Sequence, residues 1–110
     1  MQNYRNPGEN ITLPAPADVL SGQAQLVGAI FGVAQFDAPA GERCVYVRRG
    51  VFTLPKTSAQ AWTVGAKVYW DDTNKVVTTT ASGNILIGAA VAAVANPSAE
   101  GDVLLDGVIR

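Results

Sequence analysis

Residues 85–94 read Ile-Leu-Ile-Gly-Ala-Ala-Val-Ala-Ala-Val, and the fold class turns on whether this run is an alanine-rich helix or part of a sheet. Periodicity alone does not separate the two in so apolar a stretch. An internal echo favours the sheet. Leu26-Val27-Gly28-Ala29-Ile30-Phe31 matches the pattern of Leu86-Ile87-Gly88-Ala89-Ala90-Val91 at an offset of sixty positions. Gly41-Glu42 and Gly101-Asp102 stand at the same offset, each closing a proline-containing turn ahead of another apolar strand. Similar patterns are expected to adopt similar structures, so both segments read as strands in hairpins. Duplication and chance likeness between two hairpins both account for the echo.

Working outward, the rest of the chain reads as short strands between turns. Val76 to Thr80 is dense in β-branched residues, which suit a pleated, half-buried surface rather than a helix. Lys67 to Trp70 precedes it, with Asp71 to Asn74 as a compact turn. Arg43 to Arg48 alternates, placing Cys44, Tyr46 and Arg48 on one face, and Gly50 is expected to break that strand before Val51 to Leu54 resumes it. Leu26 to Ala34 reads as a nearly continuous apolar strand, its glycines marking a bend or a close backbone approach. Ile11 to Leu13 begins the first strand. The expected architecture is all-β, a small barrel or sandwich of about eight short strands with long loops, spanning residues 10–110 as one domain. Residues 1–9 carry nothing that could pack as a regular element and are expected to form a flexible N-terminal arm.

Composition narrows the function. A chain of 110 residues buries roughly 60–70% of its unfolded surface, enough for a core without staples. Alanine and valine dominate the apolar residues, so a core of small side chains is expected. Eight basic residues stand against nine acidic ones, which gives no footprint for nucleic acid. Cys44 is the single cysteine, so it reads as a buried, inert thiol within an apolar run. The polar amino terminus is unlike a secretory signal, and the apolar run from Ile85 to Ala95 is too short to span a bilayer. A soluble protein made in a reducing cytoplasm, with no membrane partner, is the expectation.

The chain is poor in chemistry. Gly50-Val51-Phe52-Thr53-Leu54-Pro55-Lys56-Thr57 matches a phosphate-binding loop except that proline replaces the second glycine. Such loops aim backbone N–H groups at phosphate, and proline has none. Asp71, Asp72 and Asn74 offer closely spaced oxygens but lack the glycine and bidentate glutamate of a calcium loop, so a solvated hairpin turn is expected. The sequence has no histidine, and the serines Ser21, Ser58, Ser82 and Ser98 fall in loops with no base to activate them. No catalytic, cofactor or metal site is assigned. Strand alternation puts Trp70 in the core. Trp62, in a loop between strands, is the expected interface aromatic.

GVFTLPK, AWTVGAKVYWDDTNK and TTTASGNILIGAAVAA resemble the small capsid decoration, or cement, proteins of tailed phages and prophages. The likeness runs from about Asn10 to Val108 and is sharpest between Gly50 and Ala93. It implies a β-rich, non-enzymatic protein, often trimeric, that binds the outside of an assembled capsid and stabilises it. The implied partners are the major capsid protein and other copies of the chain. The implied location is the virion exterior, after the host cytoplasm during assembly. The expected partner-binding residues are Met1, Gln2, Asn3, Tyr4, Arg5 and Asn6 of the arm, together with Trp62. A glycan- or host-surface-binding module using Trp62 and Tyr69 is the alternative. A third reading, an enzyme accessory domain, requires a pocket gathering Lys56, Asp71 and Asp72.

Overall fold

A computed structural model describes residue 8 and residues 10–109. Nine strands follow one another in those residues: β1 (Asn10–Pro14), β2 (Ala24–Val27), β3 (Ile30–Ala34), β4 (Arg43–Val47), β5 (Arg49–Pro55), β6 (Lys67–Asp71), β7 (Val76–Thr78), β8 (Ile85–Ala90) and β9 (Glu100–Asp106). No residue among them is helical. The strands form a four-stranded sheet in the order β1-β4-β3-β2 and a five-stranded sheet in the order β5-β9-β8-β6-β7. Every pairing within the sheets is antiparallel. A parallel bridge between Lys56 and Val77 draws the end of β5 toward β7, yet the sheets do not close into a barrel. The architecture is a sandwich, the second form that the sequence allowed.

Local chemistry explains where the strands stop. Leu26 to Ala34 is not one strand but a tight hairpin, with Val27 paired to Ile30. Gly28, at φ 60°, supplies the left-handed first position of a two-residue hairpin turn at no steric cost. Its counterpart Gly88 does something different. It lies within β8, and a Cβ there would overlap the Leu104 carbonyl of β9. The echo between the two segments therefore covers pattern and strand type but not the turn. The predicted break at Gly50 also moves: β4 ends at Val47, Arg48 makes the corner, and Gly50 sits inside β5 at φ 128°.

Residues 91–94 leave the sheet, so β8 is shorter than the apolar run. It also carries an irregularity. Val68 pairs with Gly88 while Tyr69 pairs with Leu86, which leaves Ile87 without a partner on β6. A bulge of this kind bends the strand and re-aims a side chain. Here it turns Ile87 into the core, where it is buried with Leu54, Trp62, Val68, Trp70, Val77, Val103 and Leu105.

Two clusters hold the sandwich. The larger belongs mainly to the five-stranded sheet and includes Val33 of β3, with Leu26 and Phe31 packed against it. Phe31 meets Trp70 with ring centroids 5.1 Å apart and planes tilted by 55°, a favourable aromatic arrangement that ties the sheets together. The smaller cluster lies around Ala15, Val19, Ala34, Ala38, Cys44 and Tyr46. Small side chains surround Tyr46 there, whereas the larger cluster is built around both tryptophans.

Gly88→Ala is expected to lower stability by about 2–3 kcal/mol, because the added methyl must displace strand backbone. A urea midpoint unchanged from the parent would refute the close β8–β9 approach.

Candidate functional site

The phosphate-loop-like stretch folds as β5 followed by a turn, and its lysine points inward. Lys56 is 3% exposed. Its Nζ donates to the carbonyl oxygens of Thr57 at 2.8 Å, Ser98 at 3.2 Å, and Gln60. An ammonium has three protons, so all are committed. The Trp62 ring lies under the same Nζ, its centroid 5.7 Å away, within the range of a cation–π contact. The backbone is held as well, with Lys56 N donating to Ala99 O and Thr57 N to Val77 O. This lysine is a buried tie between loops, with no proton to offer a phosphate.

The loop after Lys56 is pinned from its other side by Gln60. Its Oε1 accepts from Thr79 N at 2.9 Å and Thr78 Oγ1 at 3.2 Å. The loop then delivers Trp62 into the interior, which corrects the exposed interface position expected for this residue. Trp62 is 2% exposed, bridges to Val94 through both backbone groups, and lays its ring over Gly101, where any Cβ would overlap it. Its indole Nε1 is buried and has no hydrogen-bond acceptor among the described residues. Trp70 is equally buried, as alternation indicated. With Trp62 buried, the platform of exposed Trp62 and Tyr69 that the glycan reading needed lacks its tryptophan.

The acidic stretch closes the β6–β7 hairpin. Asp71 accepts from the backbone N–H groups of Thr73 and Asn74 and from the Asn74 side chain. Asp72 accepts from the Trp70 indole at 3.0 Å and from Lys75 Nζ at 2.8 Å. Lys75 takes the left-handed conformation at φ 57°. The side-chain bond from Asn74 holds the Asp71 carboxyl below its ordinary pKa, and the bond from Lys75 does the same for Asp72. These carboxylates work as turn acceptors. Among the described residues no three His, Cys, Asp or Glu side chains gather as a metal site would require.

A groove of about 560 Å³ runs between the 16–26 segment and the five-stranded sheet. Asp72, Lys75 and Glu100 lie along it, with Trp70 at its wall. Lys56 and Asp71 are not part of its lining, so the three residues required for the enzyme-accessory reading do not converge. Outside the groove the notable surface is apolar. Val51 and Leu104 are exposed and directly paired on the outer face of β5 and β9, and Ala89 continues the row onto β8. Leu20 and Phe36 are exposed in loops of the four-stranded half. Of the expected arm, Gly8 is described, and Met1 to Asn6 lie outside the described residues.

Comparison with protein families settles the class that this geometry leaves open. The family model for phage cement proteins matches residues 6–105. The chain belongs to the phage cement protein family. No curated protein and no solved structure matched it. Family membership gives this cement protein a structural, capsid-stabilising role and a place on the phage capsid. A scaffold whose acids close turns and whose buried lysine is fully bonded suits that role.

Two outcomes follow from the bonded side chains. Lys56→Met removes the ammonium and strands the Gln60 and Ser98 carbonyls, while Thr57 O keeps Gln60 N as a donor, so a loss of about 2–4 kcal/mol in unfolding free energy is expected. Unfolding as late as the parent in urea would show the carbonyls satisfied some other way. The Asp72 carboxyl binds its proton more weakly folded than unfolded. Its contribution is therefore complete above the unfolded value of about 3.9 and is lost as pH falls through the lower folded value. Asp72→Asn keeps an acceptor for the Trp70 indole, and should flatten the acid limb of the stability curve below about pH 4. At neutral pH it should lower stability by the same small amount, which for so exposed a pair is at most about 1 kcal/mol. Urea midpoints across that range, equal in slope for both proteins, would count against the assignment.

Proposed function

We propose that this cement protein binds the outer face of an assembled capsid as a homotrimer, seated where major capsid subunits meet. Membership of the cement family over residues 6–105 carries this reading. Each copy buries surface on neighbouring capsid subunits, so separating them requires breaking additional contacts. Three modest interfaces in one trimer reinforce each other, because the second and third bind at the effective concentration set by the first. The protein accumulates in the host cytoplasm during assembly and ends on the virion exterior.

Residues Met1 to Asn6 are the part of the chain assigned to capsid contact. Ordering a short segment on binding costs conformational entropy, which suits a contact made after the capsid surface is complete. Exposed strand edges such as β1 supply backbone groups for pairing with a capsid loop.

The test is co-sedimentation with expanded capsids, followed by heating. Binding accompanied by a higher capsid disruption temperature is expected. Absence of binding, or binding with an unchanged disruption temperature, removes the proposal. Deleting Met1 to Asn6 should weaken sedimentation with capsids and leave the thermal unfolding of the free protein nearly unchanged. Parallel loss of both would make the segment part of the fold instead. A solution mass of the free protein tests the trimer.

A further inference from the structure

We propose that the groove between the two sheets is a strand-addition slot, in which the free edge of β2 pairs with an extended, basic segment of a capsid subunit. The inference rests on the capsid-binding reading above and names a surface and a chemistry for it. Among the described residues β2 is the last strand of the four-stranded sheet and pairs with β3 alone. Its residues Ala24, Gln25 and Leu26 form one wall of the groove. Thr53 and Pro55 of β5, an edge strand of the other sheet, lie along it as well. The groove thus marks the seam at which the two sheets stay open.

The backbone of β2 is turned the right way for a partner. The two-residue turn at Gly28 makes Val27 and Ile30 a hydrogen-bonded pair, and bonding then alternates along an antiparallel ladder. Ala34 N donates to Gln23 O at 2.8 Å, which fixes the same phase at the other end of the hairpin. Residues 23, 25 and 27 therefore bond toward β3, while the N–H and C=O groups of Ala24 and Leu26 face the free side. The other edges are guarded. β1 and β5 each end in a proline, and β7 is met by Thr57 N, which donates to Val77 O at 3.0 Å. β2, Ala-Gln-Leu-Val, has neither proline nor charge, so its recess alone separates it from a pairing strand.

The slot is also preformed and charged. Gln25 donates from Nε2 to Ala17 O at 3.1 Å and accepts at Oε1 from the Tyr46 hydroxyl. Gln23 Oε1 accepts from Leu20 N at 2.9 Å. These bonds hold the wall of residues 16–26 before a partner arrives, which lowers the ordering cost of binding. Carboxylates of Asp18, Asp72 and Glu100 lie along the groove against the single ammonium of Lys75. Lys75 is already bonded to Asp72, so Asp18 and Glu100 set the sign of the field. A free backbone edge selects an extended polypeptide, with pockets beside it reading alternate side chains. The acids select a lysine or arginine in that polypeptide, and Leu26 selects an apolar neighbour.

The experiment measures amide exchange of the full-length protein, free and bound to expanded capsids, together with sedimentation of variants. Exchange at Ala24 and Leu26 should slow about tenfold or more on capsids, while Gln25 and Val27, already bonded to β3, should change little. Ala24→Pro removes one outward N–H at the first residue of the strand, where proline is tolerated. It should weaken binding about three- to tenfold. Glu100→Lys reverses an exposed charge and should weaken binding roughly tenfold, with a smaller loss at high salt. Urea midpoints check each fold, and Glu100→Lys keeps the test decisive if Ala24→Pro does not fold. Capsid binding with unchanged exchange at Ala24 and Leu26, or with protection at β1 instead, overturns the slot and leaves capsid binding standing. Protection in the free protein that rises with concentration assigns the edge to a second copy and overturns the capsid partner. A parent that fails to sediment removes both proposals.

Discussion

The sandwich depends on one buried charge. Lys56 carries its ammonium into the larger core without a carboxylate to meet it, and the cost of removing a charge from water is several kcal/mol. That cost is offset only because three carbonyls converge on the same nitrogen. Hydrogen bonds to a charged donor each contribute about 1.5–3 kcal/mol, so three of them bring the balance near neutral or better. The requirement acts in both directions. Thr57 and Gln60 lie on the loop that follows β5, and Ser98 on the loop that precedes β9. Of those carbonyls, Gln60 O and Ser98 O would lose their donor without the lysine, whereas Thr57 O also accepts from Gln60 N. A single side chain therefore fixes two irregular segments against each other and against the end of β7.

Once those loops are fixed, the packing above them follows. The loop from Thr57 leads directly to Trp62, whose ring lies beneath the ammonium and over Gly101. Glycine at 101 lets the indole reach the backbone of β9. Glycine at 88 lets β8 approach the Leu104 carbonyl from the other side. The two positions bring β8, β9 and the indole closer than any side chain would allow. Trp70, from the adjacent strand β6, extends the same core toward Phe31 and thereby toward the four-stranded sheet. The chain of dependence runs from a charge, through a loop, to an aromatic pair that joins the two halves.

Much of this was legible in the sequence where local chemistry decides structure. The alternation in residues 43–48 located β4 and its buried face, because a half-buried strand writes its orientation into every second residue. The Asp-Asp-Thr-Asn turn was legible for the same reason, since its side chains bond their own backbone within three residues. The misses all came from long-range partners. Leu26 to Ala34 is apolar on both sides of Gly28, so nothing in the run marked the turn until a paired β2 and β3 were in view. Ile87 faces inward because β8 carries one residue more than β6 at that point, which is a property of two strands and not of one. Trp62 was misplaced, and the burial of Lys56 went unread, for a shared reason. A lysine and a tryptophan in a polar loop read as surface residues unless the distant carbonyls and Gly101 that receive them are known. The phosphate-loop likeness failed at Pro55 on sequence grounds, and the structure adds that its lysine is already spent.

What such a molecule contributes to a capsid follows from how its polar groups are used. The conspicuous charged side chains of its loops are committed within the protein: Lys56 to loop carbonyls, Asp71 and Asp72 to a turn, and Arg48 to the carbonyls of Gly8 and Gly107. Committed groups lose no hydrogen bonds when a partner docks, so binding carries little desolvation penalty at those positions. Beside them the surface exposes aliphatic side chains at Val51, Leu104, Val108 and Ile109. A close-packed interior does not yield gradually, which suits the capsid-stabilising role of the family. Stability is concentrated inside, where a bonded lysine sets the loops.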